Sequence, residues 1–128
     1  MQNDPVNTEG VSVSAYIDSI PEELPRDAVG LWQIVRGGRS GFHLVGPDLI
    51  EFVRRGIHAL LDAGAVPVRF GADVGFDWVA VRRYGTDSTA VTEAIITEWL
   101  AQPDDPVVLY SGVWFARPRP GSMHVKLD

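Results

Sequence analysis

The clearest pattern in the chain is an amphipathic segment between Pro47 and Ala63. Its apolar residues recur with helical spacing, and charged residues fill the opposite face. The positions on the apolar face are Ile50, Val53, Ile57, Leu60 and Leu61. Pro47 at the start and Gly64 just after the end are typical helix boundaries. Gly56 costs this helix about 1 kcal/mol relative to alanine, which indicates a close approach by another element.

Two strand-like runs follow this predicted helix. Val66 to Phe70 is short and apolar, and Pro67 near its start is typical of an edge strand. Asp77 to Tyr84 places successive side chains on alternating faces. Because a short link containing glycine joins the two runs, they predict an antiparallel hairpin.

A second helix and a final strand are predicted after the hairpin. Asp87 or Ser88 can cap the first turn of the helix, and Pro103 stops it. Its apolar face consists of Val91, Ala94, Ile95 and Trp99. The run from Val107 to Ala116 is rich in aromatic residues and predicts a long strand, in which Gly112 indicates a bulge or bend.

The first third of the chain carries weaker patterns. Val11 to Ile17 alternates like a strand, but the run equally suits the approach to a helix. Arg26 to Val35 has the spacing of a short helix, which is our first choice. The alternative is a hairpin from Leu31 to Leu44 with its turn at Gly37-Gly38. Both interpretations stay open.

Together these elements predict an α+β fold. We expect a small single domain in which an antiparallel sheet of three or more strands packs against two or three helices. The length of 128 residues suits one domain. We expect residues 1–10 to form a flexible N-terminal tail, residues 11–117 the domain, and residues 118–128 a C-terminal tail.

Composition narrows the classes of function. The chain has no cysteine, which excludes disulfides, thiolate metal sites and cysteine nucleophiles, and suits a cytoplasmic protein. No apolar run approaches the roughly 18–20 residues of a membrane helix, and the polar N-terminus does not resemble a signal peptide. Seventeen acidic residues against eleven basic ones give a net charge of −6, which disfavours nucleic acid and anionic membranes and suits a basic protein partner.

The segment from Arg36 to His43 is the best candidate for a small-anion site. Its glycines allow backbone N–H groups to converge on an anion, and Arg36 and Arg39 add positive charge. Ser40 and His43 complete the candidate ligand-binding set. Ser40 is not in a nucleophile elbow, because Phe42 stands where that motif requires glycine. A flexible turn between two elements is the simpler interpretation.

The remaining polar residues do not form a pattern typical of a catalytic, metal or cofactor site, so we expect none of these. None of the histidines has the spacing of a metal motif. Asp73 and Asp77 bracket the hairpin turn, where capping is their usual role. A helix followed by a hairpin is also the order of the recognition helix and wing in winged-helix proteins, with Arg54 and Arg55 on the helix. Acidic residues interspersed on both elements oppose phosphate binding.

The aromatic run near the C-terminus is the best candidate for a protein interface. Trp114 and Phe115 are adjacent in a predicted strand and point to opposite faces, so one is either exposed or covered by a further layer or partner. Tyr110 lies on the same strand, and tryptophan and tyrosine are enriched at the energetic centres of interfaces.

We therefore expect a small acidic, non-enzymatic binding or regulatory protein that acts through a protein–protein surface. A homodimer through the edge of the Val107–Ala116 strand is one version, and an acidic antidote that masks a basic partner is another. The first alternative is an anionic-ligand-binding protein or enzyme that uses the Arg36–His43 segment. The second is a winged-helix-like DNA-binding protein.

Overall fold

A computed structural model describes residues 5–71, 75, 77–102, 112–118 and 125–126. Within these ranges the chain has four α-helices, one 3-10 turn, one π-helical segment and five strands. The helices are α1 (Val13–Ser19), α2 (Leu31–Arg36), α3 (Gly46–Asp62) and α4 (Ser88–Leu100). The strands are β1 (Val29–Gly30), β2 (Val66–Phe70), β3 (Trp78–Ala80), β4 (Trp114–Ala116) and β5 (Val125–Lys126).

The strands form one sheet in the order β1-β4-β2-β3-β5. In this order, each strand from β1 to β3 runs antiparallel to its neighbour, and β5 runs parallel to β3. This arrangement, with helices packed on the sheet, confirms the predicted α+β fold of a small single domain. The hairpin of β2 and β3 is also confirmed, with Val68 opposite Ala80 and Phe70 opposite Trp78.

The predicted edge position of β2 is wrong, because this strand lies between β4 and β3. Pro67 is tolerated there for a local reason. Its carbonyl accepts a hydrogen bond from the Val81 N–H at 2.8 Å, so its nitrogen also faces β3. Proline has no N–H to donate to β3. Because β3 ends at Ala80, the hydrogen bond that Pro67 cannot make would lie just beyond the β2–β3 ladder.

Strand β4 is also internal, so its described residues offer no open edge, and a dimer through the rest of the Val107–Ala116 run stays a prediction. Trp114 to Ala116 pair with β2 on one side, and Trp114 and Phe115 pair with β1 on the other. The part of the predicted strand from Val107 to Ser111 lies outside the described residues. Gly112 has a φ of +84° and lies in a bend, as expected, but the described strand begins only after it, at Trp114.

The helices agree with the stronger sequence patterns. Helix α3 ends near Gly64, whose φ of +93° is the left-handed conformation expected there. The Asp87 side chain accepts from the Ala90 N–H at 2.9 Å and caps α4, as predicted. The ambiguous run after Val11 is a helix, α1, capped by the Ser12 hydroxyl.

The choice between a helix and a hairpin after Arg26 has a mixed outcome. Leu31 to Arg36 is helical, but Val29–Gly30 forms β1, so the predicted helix starts too early. The hairpin is wrong, because residues Gly37–Gly41 continue α2 as a π-helical segment. No turn reverses the chain at the two glycines.

Both expected tails include residues with described structure. The Val13 N–H donates to the Pro5 carbonyl at 2.9 Å, and Val6 forms a β-bridge with Ser12. Val125–Lys126 is strand β5. The domain limits themselves stay a prediction. In the described part of the chain, none of the helices combines the length and apolarity that crossing a membrane requires.

The main core lies between one face of the sheet and the helices. Phe52 and Ile57 of α3, Ile95 of α4 and Phe115 of β4 are each at most 1% exposed. The close approach predicted for Gly56 comes from α2, because a Cβ atom added there would lie 2.9 Å from Cγ2 of Ile34.

A second glycine, Gly38, is enclosed more tightly. A Cβ atom at this position would lie 2.7 Å from Cδ1 of Leu49 and 2.8 Å from Cδ1 of Phe52. Such distances are shorter than van der Waals contact, and both neighbours are buried side chains of α3. The contact between the π-helical segment and α3 therefore requires glycine.

Gly38→Ala is expected to lower the free energy of unfolding by about 1–3 kcal/mol, because the added methyl group overpacks a closed contact. Gly41→Ala is the matched control in the same π-helical segment, since a Cβ there has no atom within 4 Å. It should leave the stability unchanged or raise it by up to about 1 kcal/mol. Urea unfolding followed by tryptophan fluorescence measures both variants. Equal shifts would contradict the packing role of Gly38.

Candidate functional site

The predicted anion segment is helical where a loop was expected. Residues Gly37–Gly41 continue α2, and the Leu44 N–H donates to the Gly38 carbonyl at 2.9 Å. N–H groups within a helix point back along the chain, and its C-terminal end carries partial negative charge. The glycines therefore do not form a converging N–H cradle. Binding of an anion by the side chains of this segment stays a prediction.

The structure brings together two of the four predicted ligand-binding side chains. Arg36 and Ser40 line a shallow hollow of about 350 Å³, together with Tyr16, Trp32 and Gln33. Arg39 and His43 are not among the residues that line it. His43 is exposed, with a φ of +58° at the end of the helical segment.

The predicted interface residues of β4 are buried. Phe115 is 0% exposed in the main core, and Trp114 is 8% exposed on the opposite face of the sheet. Their opposite orientations agree with the alternation expected in a strand. Tyr110 lies outside the described residues. Neither described side chain of this pair forms an exposed surface, and an interface at this strand stays a prediction.

Trp114 belongs to an aromatic cluster formed by Trp32, Phe70, Trp78 and Trp114. Trp78 and Trp114 have ring centroids 5.3 Å apart, and Phe70 stacks on Trp78 at 5.0 Å with an interplanar angle of 23°. Trp32 lies at a steep angle to Trp114, with centroids 6.4 Å apart. The cluster occupies the sheet face that does not contact the main core.

Phe70 is the exposed member of the aromatic cluster. It keeps 45% of its surface accessible, whereas Trp78 and Trp114 are each 8% exposed. Sequence reasoning missed Phe70 as a surface residue. The alternation of Val66, Val68 and Phe70 was the available signal, because it places all three on one face of β2.

Two indole N–H groups of the cluster have no hydrogen-bond partner in the described structure. They are Nε1 of Trp32 and Nε1 of Trp114, and both atoms are buried. A buried donor without an acceptor costs about 1–3 kcal/mol. These two indoles therefore enter the cluster through ring contacts and not through hydrogen bonds of their own.

A second candidate site, the arginine hollow, opens at the end of the sheet beside α4. Its volume is about 510 Å³. The residues that line it are Val68, Arg69, Ala80, Val81, Arg82, Arg83, Tyr84, Glu98, Gln102, Gly112 and Val113. Sequence reasoning did not find it, because its walls come from four separate parts of the chain.

One wall of the arginine hollow is a network of Arg83, Tyr84 and Glu98. Arg83 donates to both carboxylate oxygens of Glu98, at 2.6 and 3.2 Å. The Tyr84 hydroxyl donates to Oε1 of Glu98 at 2.8 Å. The Arg83 guanidinium also lies 4.4 Å from the centre of the Tyr84 ring.

The network shifts the ionisation of its members. The hydrogen bond from Arg83 is the main cause that lowers the pKa of the Glu98 carboxyl. Burial, followed by the hydrogen bond to Glu98, raises the pKa of Tyr84 to about 12. At neutral pH Glu98 is therefore ionised and Tyr84 remains a hydrogen-bond donor.

The arginines of the winged-helix alternative are engaged within the domain. Arg54 donates to both carboxylate oxygens of Glu93 on α4, at 2.7 and 3.2 Å. Arg55 donates to the Ser14 hydroxyl on α1 at 3.2 Å. Helix α3 thus packs against α1, α2 and α4, and binding of DNA by this helix stays a prediction.

The comparisons with known proteins add no relative. No protein-family model matches the chain, and no curated protein or solved structure is significantly similar to it. Among the described residues, no three His, Asp or Glu side chains are grouped closely enough to hold a metal ion.

Glu98→Gln is expected to lower the free energy of unfolding at pH 7 by about 0.2–1 kcal/mol, because the pair is partly exposed. The folded-state pKa of Glu98 is depressed, so its stabilising effect is present above the usual value of 4.5 and is lost as pH falls through the folded value. The difference between wild type and variant should therefore shrink at acid pH.

Urea unfolding at a series of pH values checks this prediction. Glu22→Gln is the matched control, because Glu22 is exposed and makes no ion pair within the described part of the chain. A stability difference for Glu98→Gln that stays constant from neutral to acid pH would contradict the assignment.

Proposed function

We propose that this chain is a small non-enzymatic binding or regulatory protein that acts through a protein–protein surface centred on Phe70. The observation that carries the proposal is an aromatic side chain that is 45% exposed and stacked on a buried tryptophan. Large aromatic side chains supported in this way are typical anchors of protein interfaces. The function does not require a reaction centre.

The setting of Phe70 supports its role as an anchor. Its ring rests on Trp78, and Trp78 rests on Trp114 of the internal strand β4. A side chain held by a packed cluster loses little conformational freedom when a partner covers it. The favourable free energy of covering Phe70 is therefore reduced only slightly by loss of side-chain entropy.

Charge supports a partner of a particular kind. The chain has a net charge of −6, and Asp77 is exposed directly before the strand that pairs with Phe70. An acidic surface speeds encounter with a basic partner and repels nucleic acid. The proposed partner is thus a protein with an apolar pocket for Phe70 and a basic rim.

The alternatives predicted from the sequence draw less support. The Arg36–His43 segment offers only Arg36 and Ser40 to one shallow hollow. Arg54 and Arg55 of the winged-helix alternative are already bonded to Glu93 and Ser14. Displacing those contacts would add a cost to any binding of DNA phosphates.

Phe70→Asp tests the proposed surface, and Leu100→Asp is the matched control because Leu100 is 52% exposed on α4. Tagged wild type and both variants are used for quantitative capture from native lysate, and light scattering reports self-association. We expect a basic partner to be retained by wild type and Leu100→Asp and to fall by at least about tenfold with Phe70→Asp.

Two results would overturn the proposal. One is a partner retained equally by all three proteins, which would remove Phe70 from the interface. The other is a strict monomer at high concentration that enriches no protein. Thermal melting of both variants confirms that a loss of binding does not come from unfolding.

A further inference from the structure

We infer that the arginine hollow binds a small organic anion, namely a carboxylate or phosphate group joined to an apolar body. The hollow is separate from the Phe70 surface, because Arg69 and Phe70 are neighbours in β2 and their side chains point to opposite faces. The inference therefore adds a ligand site to the proposed protein-binding function.

The shape of the hollow comes from the way the sheet ends. The ladder between β2 and β4 stops at the pair Val68 and Trp114. Arg69 and Val113, beyond this pair, are outside the ladder and line the hollow, together with Glu98 in the last turn of α4 and Gln102 just after the helix. The volume of about 510 Å³ is in the range of sites for small ligands.

The lining combines an apolar part with positive charge. Val81 and Val113, which lie on the opposite face of the sheet from the aromatic cluster, contribute the apolar part, which suits the body of an organic ligand. Arg82 and Arg83 contribute guanidinium groups within a chain whose net charge is −6. With Arg69, the lining has three arginines against one carboxylate, Glu98, so it is a local excess of positive charge that attracts a small anion.

Arg82 is the residue that we assign to the anion. Its side chain is exposed, and within the described part of the chain no hydrogen bond or ion pair engages its guanidinium. Its fork of donors matches the two oxygens of a carboxylate or phosphate. Arg83, in contrast, is committed to Glu98.

Glu98 does not cancel this charge. Both of its oxygens accept hydrogen bonds from Arg83, and one also accepts from Tyr84, so the carboxylate is neutralised within the wall. The lowered pKa of Glu98 agrees with this pairing. The network fixes the wall in place and leaves the charge of Arg82 for a ligand.

The test is an NMR titration of the full chain with defined probes. Phenyl phosphate and benzoate carry the two anionic groups on the same apolar body, benzamide is the neutral analogue, and inorganic phosphate lacks the body. We expect phenyl phosphate or benzoate to shift amides at residues 80–84, 98–102 and 112–113 at concentrations up to about 10 mM. Benzamide and inorganic phosphate should bind at least about tenfold more weakly.

Arg82→Gln should weaken binding by about tenfold or more, because it removes the guanidinium and its charge and leaves a shorter, neutral polar side chain. Arg36→Gln is the matched control, since Arg36 is also exposed but belongs to the other hollow. Its affinity should equal that of wild type. Both substituted residues are exposed, so both variants should retain the wild-type melting temperature.

Several outcomes would overturn the inference. Absence of binding by every anion identifies the hollow as a solvated depression. Equal affinity for benzamide and benzoate would show that the charge of the ligand does not contribute to binding. Equal affinity for inorganic and phenyl phosphate would show that the apolar body does not contribute. Binding that is lost with Arg36→Gln and kept with Arg82→Gln transfers the ligand to the Arg36–Ser40 hollow.

Discussion

Strand β4 is the constraint on which the rest of the structure depends. Only three residues long, it has neighbours on both sides, with β1 and β2 bonded to its two edges. Its side chains serve both faces, since Phe115 enters the core beneath the helices and Trp114 supports the aromatic cluster. Loss of either side chain would therefore weaken a different layer of the same domain.

Elements with strong local signals could be predicted from the sequence. Helices α3 and α4 and the β2–β3 hairpin carry their own caps, periodicity and turn residues. The strand order could not be predicted, because β1 and β4 are separated by more than eighty residues and pair only in the folded chain. Pro67 suggested that β2 is an edge strand. A proline is also tolerated in an internal strand where the neighbouring strand has already ended, and this could not be known from the sequence. Gly37 and Gly38 have the composition of a turn, but packing of Gly38 against Leu49 and Phe52 overrides that preference.

The candidate sites were harder to predict than the fold. Alternation along a strand correctly separated Trp114 from Phe115, because it is a local geometric rule. The network of Arg83, Tyr84 and Glu98 joins the end of the hairpin to α4, and the ion pair of Arg54 and Glu93 spans 39 residues. Charge patterns within one helix cannot reveal such partners. The charge pattern of α3 alone suggests that Arg54 is exposed to solvent, whereas its guanidinium joins α3 to Glu93 of α4.

The ends of the sheet bear on how this protein can assemble. In the described part of the chain, the outermost strands, β1 and β5, are each two residues long. Such short edges expose few unpaired backbone groups, so they are poor templates for the addition of further strands. Growth into fibrils by edge pairing is disfavoured as a result. Contacts that another molecule makes with the described part of these two edges therefore depend more on side chains, whose chemistry can be specific, than on backbone pairing, which any extended peptide can supply.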